Sequence, residues 1–384
     1  MRKYKLGDIC EIVSGSTPKT GIDEYWDGDV KWITPAELND DTYIINDSVR
    51  KITELAVKKT GLSPFPEGTV ILSSRAPIGK VAIAGCKMYC NQGFKNLICS
   101  EKINNKYLYW FLKSNTDYLK SLGRGATFKE ISKGIVSEIE INVPEIRKQV
   151  ETVAILEKVS KVIALRKQEI SALDDLIKAR FVEMFGDVIH NSKKWQVCLF
   201  AEITSSRLGK MLDAKQQTGR NSYPYLANFN VQWFRFNLEN LNKMDFDEKD
   251  RAEFELREGD LLVCEGGEIG RCAVWHNELQ PCFFQKALHR VRCNHQIILP
   301  DYLAWWFRYN CDYGGFSALA GAKATIAHLP GAKLKQLQVA VPPMELQEQF
   351  AVFVAQTDKS KVAVQKALDE AQLLFDSLMQ EYFG

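Results

Sequence analysis

Few side chains in this sequence stand at spacings that catalysis requires. Gly79-Lys80 could close a phosphate-cradling loop, but Ser74 replaces the earlier glycine and Val81 follows the lysine, so G-x-x-x-x-G-K-[ST] is not met. The Gly266-Gly267-Glu268-Ile269-Gly270 run is too short for a dinucleotide motif and reads as a turn between paired strands. No Asp- or Asn-Pro-Pro-aromatic tetrapeptide, the usual adenine amino-methylation site, occurs. All five histidines fall at or beyond position 190, and Cys282, His289, Cys293 and His295 fit no zinc spacing. Ten cysteines are scattered without a C-x-x-C pair and read as reduced, mostly buried thiols of a cytoplasmic protein.

What remains are polar, cationic and Gly-containing loops that occur in pairs. Ser16, Thr17 and Lys19 have loose counterparts in Ser206, Arg207 and Lys210, and hydroxyls mixed with a cation suit phosphate oxygens. Lys31-Trp32-Ile33-Thr34 aligns loosely with Tyr225-Leu226-Ala227-Asn228, which puts Trp32, Thr34 and Asn228 among the candidates. Ser74 and Arg75 answer Glu265 at one turn; Asn91 and Gln92 answer Gln285 and Lys286. Arg124, Thr127 and Lys129 lie in the stretch that Lys323 and Thr325 occupy in the second half. Arg with guanine, and Asn or Gln with adenine, are the standard major-groove pairings. Kept placement with changed identity is what two readers of different base sequences would show.

The loops are paired because the chain is a tandem duplication. Residues 65–85 align without a gap to 256–276 at an offset of 191, and from Gln149 and Gln347 onward the offset is 198 to the end. Each copy opens with short β-like runs broken by Gly, Pro, Asn and Ser around one aromatic helix, an α+β module. It closes with a stretch that keeps apolar residues seven apart: Leu156, Ile163, Ile170, Ile177 and Met184, then Val354, Leu368, Phe375 and Tyr382, with Lys361 as the exception. A seven-residue repeat holds its seam on one face only against a partner helix, and the partner at hand is the other copy, antiparallel across a pseudo-two-fold axis. The expected divisions are 1–143, 144–186, 187–341 and 342–384. The two modules carry +3 and +2 and the two helices +1 and −4, so the acid excess sits on the last helix. No apolar run is long enough to span a membrane.

Taken together, the paired motifs resemble the DNA-sequence specificity subunits of type I restriction–modification systems. The resemblance rests on the E-G, hydrophobic run and I-G-[KR] order, on Asn91-Gln92-Gly93-Phe94, on Y-L-x-x-[FW], on GATFKEISKG at 125–134, on VPEIRKQV at 143–150, and on long stretches ending in Phe-Gly. It implies an α+β chain of two tandem, pseudo-two-fold-related α/β target-recognition domains separated by two long antiparallel coiled-coil helices. Each domain would read one half of a bipartite site in double-stranded DNA. The helices would set the gap and dock two modification (methyltransferase) subunits, with restriction (motor-nuclease) subunits joining where present. The chain itself would be non-catalytic and bind no cofactor; S-adenosylmethionine, and ATP with Mg, would belong to the partners. Two other readings stand beside it: a self-sufficient methyltransferase or nuclease, and a scaffold that assembles proteins through its helices without reading DNA.

Overall fold

Short runs rich in Val, Ile and Leu become buried strands in both halves of the chain. The computed structural model describes residues 2–39, 41–125, 129–213, 217–317 and 328–384. They form two compact units, Met1–Gln168 with Gln365–Gly384, and Glu169–Val364.

In the first unit a five-stranded sheet runs in the order Cys10–Ser14, Phe94–Cys99, Val70–Ser73, Val81–Ala84, Ile44–Ile45. Its pairs are antiparallel except the last, where Ile44–Ile45 lies parallel to Val81–Ala84. Both faces of Val70–Ser73 and Val81–Ala84 are buried, which is why these strands read as continuous apolar runs rather than alternating ones. A smaller sheet pairs Trp26–Ile33 with Lys51–Ile52 and Tyr89–Cys90. The aromatic helix Asn105–Ser114 is capped by Asn104, whose side chain accepts from the Lys106 and Tyr107 amides, and it buries every residue from Tyr107 to Leu112.

The second unit repeats this order. Thr204–Leu208, Leu288–Cys293, Leu261–Cys264 and Cys272–Val274 make its main sheet, and Asn242–Asp245, Ser222–Leu226 and Phe283–Phe284 the smaller one. Helix Pro300–Asp312 takes the place of Asn105–Ser114, with Tyr302 donating a 2.6 Å hydrogen bond to the Ala340 carbonyl.

The two heptad stretches are helices Ile146–Phe185 and Met344–Phe383, 40 residues each and so roughly 60 Å long. Gly186, at φ +73°, ends the first with its amide on the Val182 carbonyl, as a left-handed C-cap does. Leu156, Ile163, Ile177, Met184 and Val354 are buried, while Ile170, Leu368, Phe375 and Tyr382 are half-buried. Within the second unit the helices run antiparallel: Asp174 meets Lys361 at 2.7 Å, and further along the first helix Phe181 meets Phe350, further back along the second. Lys361, the exception in the seam, is held there by Asp174 and Asp358.

The helices are not domains of their own. Leu156 and Met379 belong to the core of the first module with Trp110 and Phe111; Phe181, Phe185 and Phe350 belong to the core of the second with Tyr302 and Trp305. Among the described residues no helix is long and apolar enough to cross a membrane.

Candidate nucleic-acid interface

The same three segments meet at one edge of each module: the end of the first sheet strand, the turn after Val70–Ser73 or Leu261–Cys264, and the segment before Phe94–Cys99 or Leu288–Cys293. In the first unit the chain leaves Cys10–Ser14 at Gly15, where a Cβ would lie 2.0 Å from the Asn91 carbonyl oxygen. In the second it leaves Thr204–Leu208 at Gly209, where a Cβ would lie 2.4 Å from the Gln285 carbonyl. The glycines allow two backbone segments to touch, and so place Ser16 and Thr17 beside Gln92, and Lys210 beside Gln285 and Lys286.

In the first unit, Arg75, Asn91, Thr34 and Lys129, with Lys120, line an open groove of about 830 Å³ floored by Pro35, Pro77 and Ile78. Lys19, Gln92, Arg124 and Lys129 are exposed, and Arg75 and Asn91 half-buried. The Asn91 carboxamide oxygen accepts from the Gly93 amide at 2.9 Å, which fixes the side chain and turns its NH2 outward from that bond. Thr34 caps a short turn with Glu37, which accepts from the Thr34 amide at 2.7 Å. Two candidates are turned inward. Trp32 is buried, with its indole donating to the Ser16 carbonyl at 3.0 Å, and Ser74 is buried, accepting from Lys95 at 3.2 Å. Both shape the surface from beneath instead of forming it, because a side chain already enclosed and hydrogen-bonded has no face to offer a ligand. Thr127 lies outside the described residues.

The second unit uses the same backbone with other side chains. The Gln285 amide donates to the Leu226 carbonyl as the Asn91 amide does to Ile33, both at 3.0 Å, so Asn91 and Gln285 occupy one position. This register corrects two of the loose sequence matches. Thr34 corresponds to Ala227, whose amide is capped by Asn230 as Thr34 is by Glu37, and Asn228 stands one residue further on. Lys210 corresponds to Ser16, which leaves Ser206 and Arg207 back within the strand Thr204–Leu208. Lys210 is committed internally, to Asp250 at 2.5 Å and the Asp245 carbonyl at 2.6 Å. Arg207 pairs with Glu253, and the Asn228 amide is held between the Gly266 carbonyl and Arg271. Glu265 and Gln285 are half-buried and Lys286 exposed. Lys323 and Thr325 lie outside the described residues.

Sequence reading does not place the residues beneath each edge among the candidate contacts. Lys95, Glu130 and Lys80 in the first unit, and His289 and His328 in the second, are within or next to the turns named above. The available signal was a charged residue inside an otherwise apolar strand, Lys95 in FKNLIC and His289 in LHRVRC. Burial pushes the His289 pKa below its ordinary value, against the pull of the Leu329 carbonyl and Glu265. Among the described residues no group of three or more His, Cys, Asp or Glu side chains is placed to hold a metal ion, and all ten cysteines are free thiols.

Known proteins share this fold. The S subunit of a type I restriction–modification system from M. genitalium superposes with a TM-score of 0.61 at 14% identity, covering 100% of this chain and 96% of its own. A chain from a structure of type I R-M complex assembly and conformational transition gives 0.62 at 16%, covering 100% and 97%. At such identities the likeness is one of fold. In sequence, the type I restriction enzyme MjaIX specificity subunit of Methanocaldococcus jannaschii is 41% identical over 186 residues, 48% of this chain and 43% of that protein. The EcoprrI specificity subunit of Escherichia coli is 26% identical over 131 residues, 33% of this chain and 32% of its own. The matches thus span less than half the length of either relative. The family model described as the type I restriction modification DNA specificity domain matches twice, over residues 1–174 and 192–371, once for each copy of the repeat. Duplicated modules, shared backbone register and this double match make the chain a member of the type I restriction modification DNA specificity domain family.

Proposed function

We propose that each unit reads one half of a bipartite sequence in double-stranded DNA, and that the chain addresses a modification complex without itself catalysing the reaction. The observation that carries this reading is the pair of edges with one backbone register and different side chains. Asn91 stands where the second unit has Gln285, exposed Gln92 where it has exposed Lys286, and Arg75 where it has Gly266. A common scaffold with exchanged polar tips is how one fold would address two base sequences, since base edges are discriminated by donor and acceptor patterns.

The long helices serve as spacer and docking surface in this reading. Roughly 60 Å of helix is comparable with one to two turns of DNA at about 34–36 Å each. Outside the seam the helices expose large apolar residues: Ile155 and Val162 are seven apart, and Val362 and Leu373 eleven apart, spacings that keep each pair near one helix face. Such stripes suit two modification subunits, to which restriction subunits would be added where they exist. S-adenosylmethionine would be bound by the former and ATP with Mg by the latter.

Mapping methylated bases across host DNA tests the reading. A motif of two short halves with a fixed gap is expected, and it should vanish on deletion of this chain. Arg75→Ala and Arg124→Ala should erase motif-specific methylation while leaving the modification subunits bound. A scaffold that does not read DNA would tolerate both substitutions, and methylation by the isolated chain would favour a self-sufficient enzyme.

A further inference from the structure

One carboxylate in the first unit ties the Ser74–Arg75 turn to Lys95 of the strand Phe94–Cys99. Lys95 is 6% exposed, and its ammonium lies 3.0 Å from Glu130 Oε1 and 3.2 Å from Ser74 Oγ. The other Glu130 oxygen is 3.8 Å from Arg75 Nη1. Glu130 also closes the base of its loop, its amide and carbonyl paired with the carbonyl and amide of Arg124 at 3.0 Å each, while the next amide, Ile131, donates to the Ser74 carbonyl at 2.9 Å.

The second unit shows which of these bonds the fold needs. Its Leu329 amide donates to the Glu265 carbonyl at 2.6 Å, and His328 bridges to Gly266, so the backbone joints recur. The carboxylate does not recur: His328 stands where Glu130 does. His289 stands where Lys95 does, its Nε2–H donating to the Leu329 carbonyl at 3.0 Å. These backbone joints form without an acid at this place. The acid has a different task in the first unit, where a buried ammonium must be neutralised and an Arg borders the groove.

Resting on the reading function above, we propose that Glu130 is a positioning residue for sequence recognition by the first unit. Its charge, 3.8 Å from the guanidinium, draws Arg75 toward the groove and restrains it from the nearest phosphate. An Arg so held can present its planar fork to a base edge; released, it becomes a mobile cation that favours the backbone of any sequence.

The test uses the full chain with its modification subunits, comparing wild type, Glu130→Gln and Glu130→Asp. In Glu130→Gln the methylation map should relax at a base pair of one half-site and keep the other half intact. Gel shifts on a duplex lacking the motif should tighten by about two- to tenfold at low salt, with a log–log salt slope steeper by up to about one. Glu130→Asp should restore the motif. A purely structural role would weaken specific and non-specific binding together. Should Glu130→Gln fail to fold, the double variant Lys95→Met/Glu130→Gln removes the buried charge with its counter-ion and should relax the same half. An unchanged motif at lower methylation, or relaxation of both halves, overturns the proposal. Absence of any two-part motif in wild type would instead overturn the reading function.

Discussion

At the scale of single residues, two positions control the edges through space and charge. Gly15 has no room for a methyl group, since its Cβ would sit 2.0 Å from the Asn91 oxygen and 2.4 Å from that of Cys90. Gly15→Ala should therefore cost about 1–3 kcal/mol, the usual penalty for overpacking, and blur only the half-site read by the first unit. Thermal unfolding and a methylation map would show both effects, and an unshifted midpoint would mean that the contact relaxes freely. His289 gives a pH dependence of defined sign. Its folded pKa is depressed by burial, so the unfolded chain takes up a proton near its ordinary value of 6.5 before the folded one does. The stability tied to neutral His289 is complete above that value and is lost as pH falls below it. Amide exchange of Leu288–Cys293, corrected for intrinsic rate, should speed up between about pH 7.5 and pH 5.5, and His289→Gln should flatten the change. The residue types were legible in the sequence, their availability less so. Lys210 and Asn228 have the chemistry of contacts, but their partners Asp250 and Arg271 come from 40 and 43 residues away, and one-dimensional spacing cannot announce such pairs.

At the scale of elements, periodicity told most of what the helices are. The seven-residue repeat marks out Ile146–Phe185 and Met344–Phe383, because a pattern kept over about eight helical turns leaves one packing solution. Loops slipped by a residue, as Thr34 against Asn228 did, since polar turns tolerate insertions and carry no period. Lys361 interrupts the seam without breaking it: its cation lies between Asp174 and Asp358, and these hydrogen bonds raise its pKa against the lowering effect of burial. The helix pair gives an element-level prediction. Seven residues inserted within 156–177 and seven within 354–375 preserve the seam on both helices and lengthen each by about 10 Å. The methylation map should then show both half-sites unchanged and a wider gap between them. An insertion of five residues would rotate the downstream seam off its face, and should lose methylation altogether.

At the scale of the whole chain, the repeat boundary and the packing boundary differ. The repeat places a natural cut at 143, yet the core of the first unit continues past it. Val153, Leu156 and Met379 pack with Tyr107, Trp110 and Phe111, and Tyr107 meets Phe383 edge to face at 5.1 Å. A module exchanged at 143 must therefore meet a helical surface it did not evolve with, and its aromatic helix is a large part of what does so, beside Tyr43 on Glu157 and Asn104 on Gln149. Replacing 1–143 with the corresponding module of a relative should succeed when the incoming helix keeps aromatic or large aliphatic residues at the places of Tyr107, Trp110 and Phe111. The resulting complex should methylate a motif in which one half is new, the other half and the gap as before. Restoring a poor match by grafting only those three side chains should recover folding without altering the new half-site, because they lie in the core and not at the reading edge. A chimera that changes both halves would show that the two units do not read independently, and one that folds equally well with alanine at all three places would show that the shared core is not what joins reader to helix.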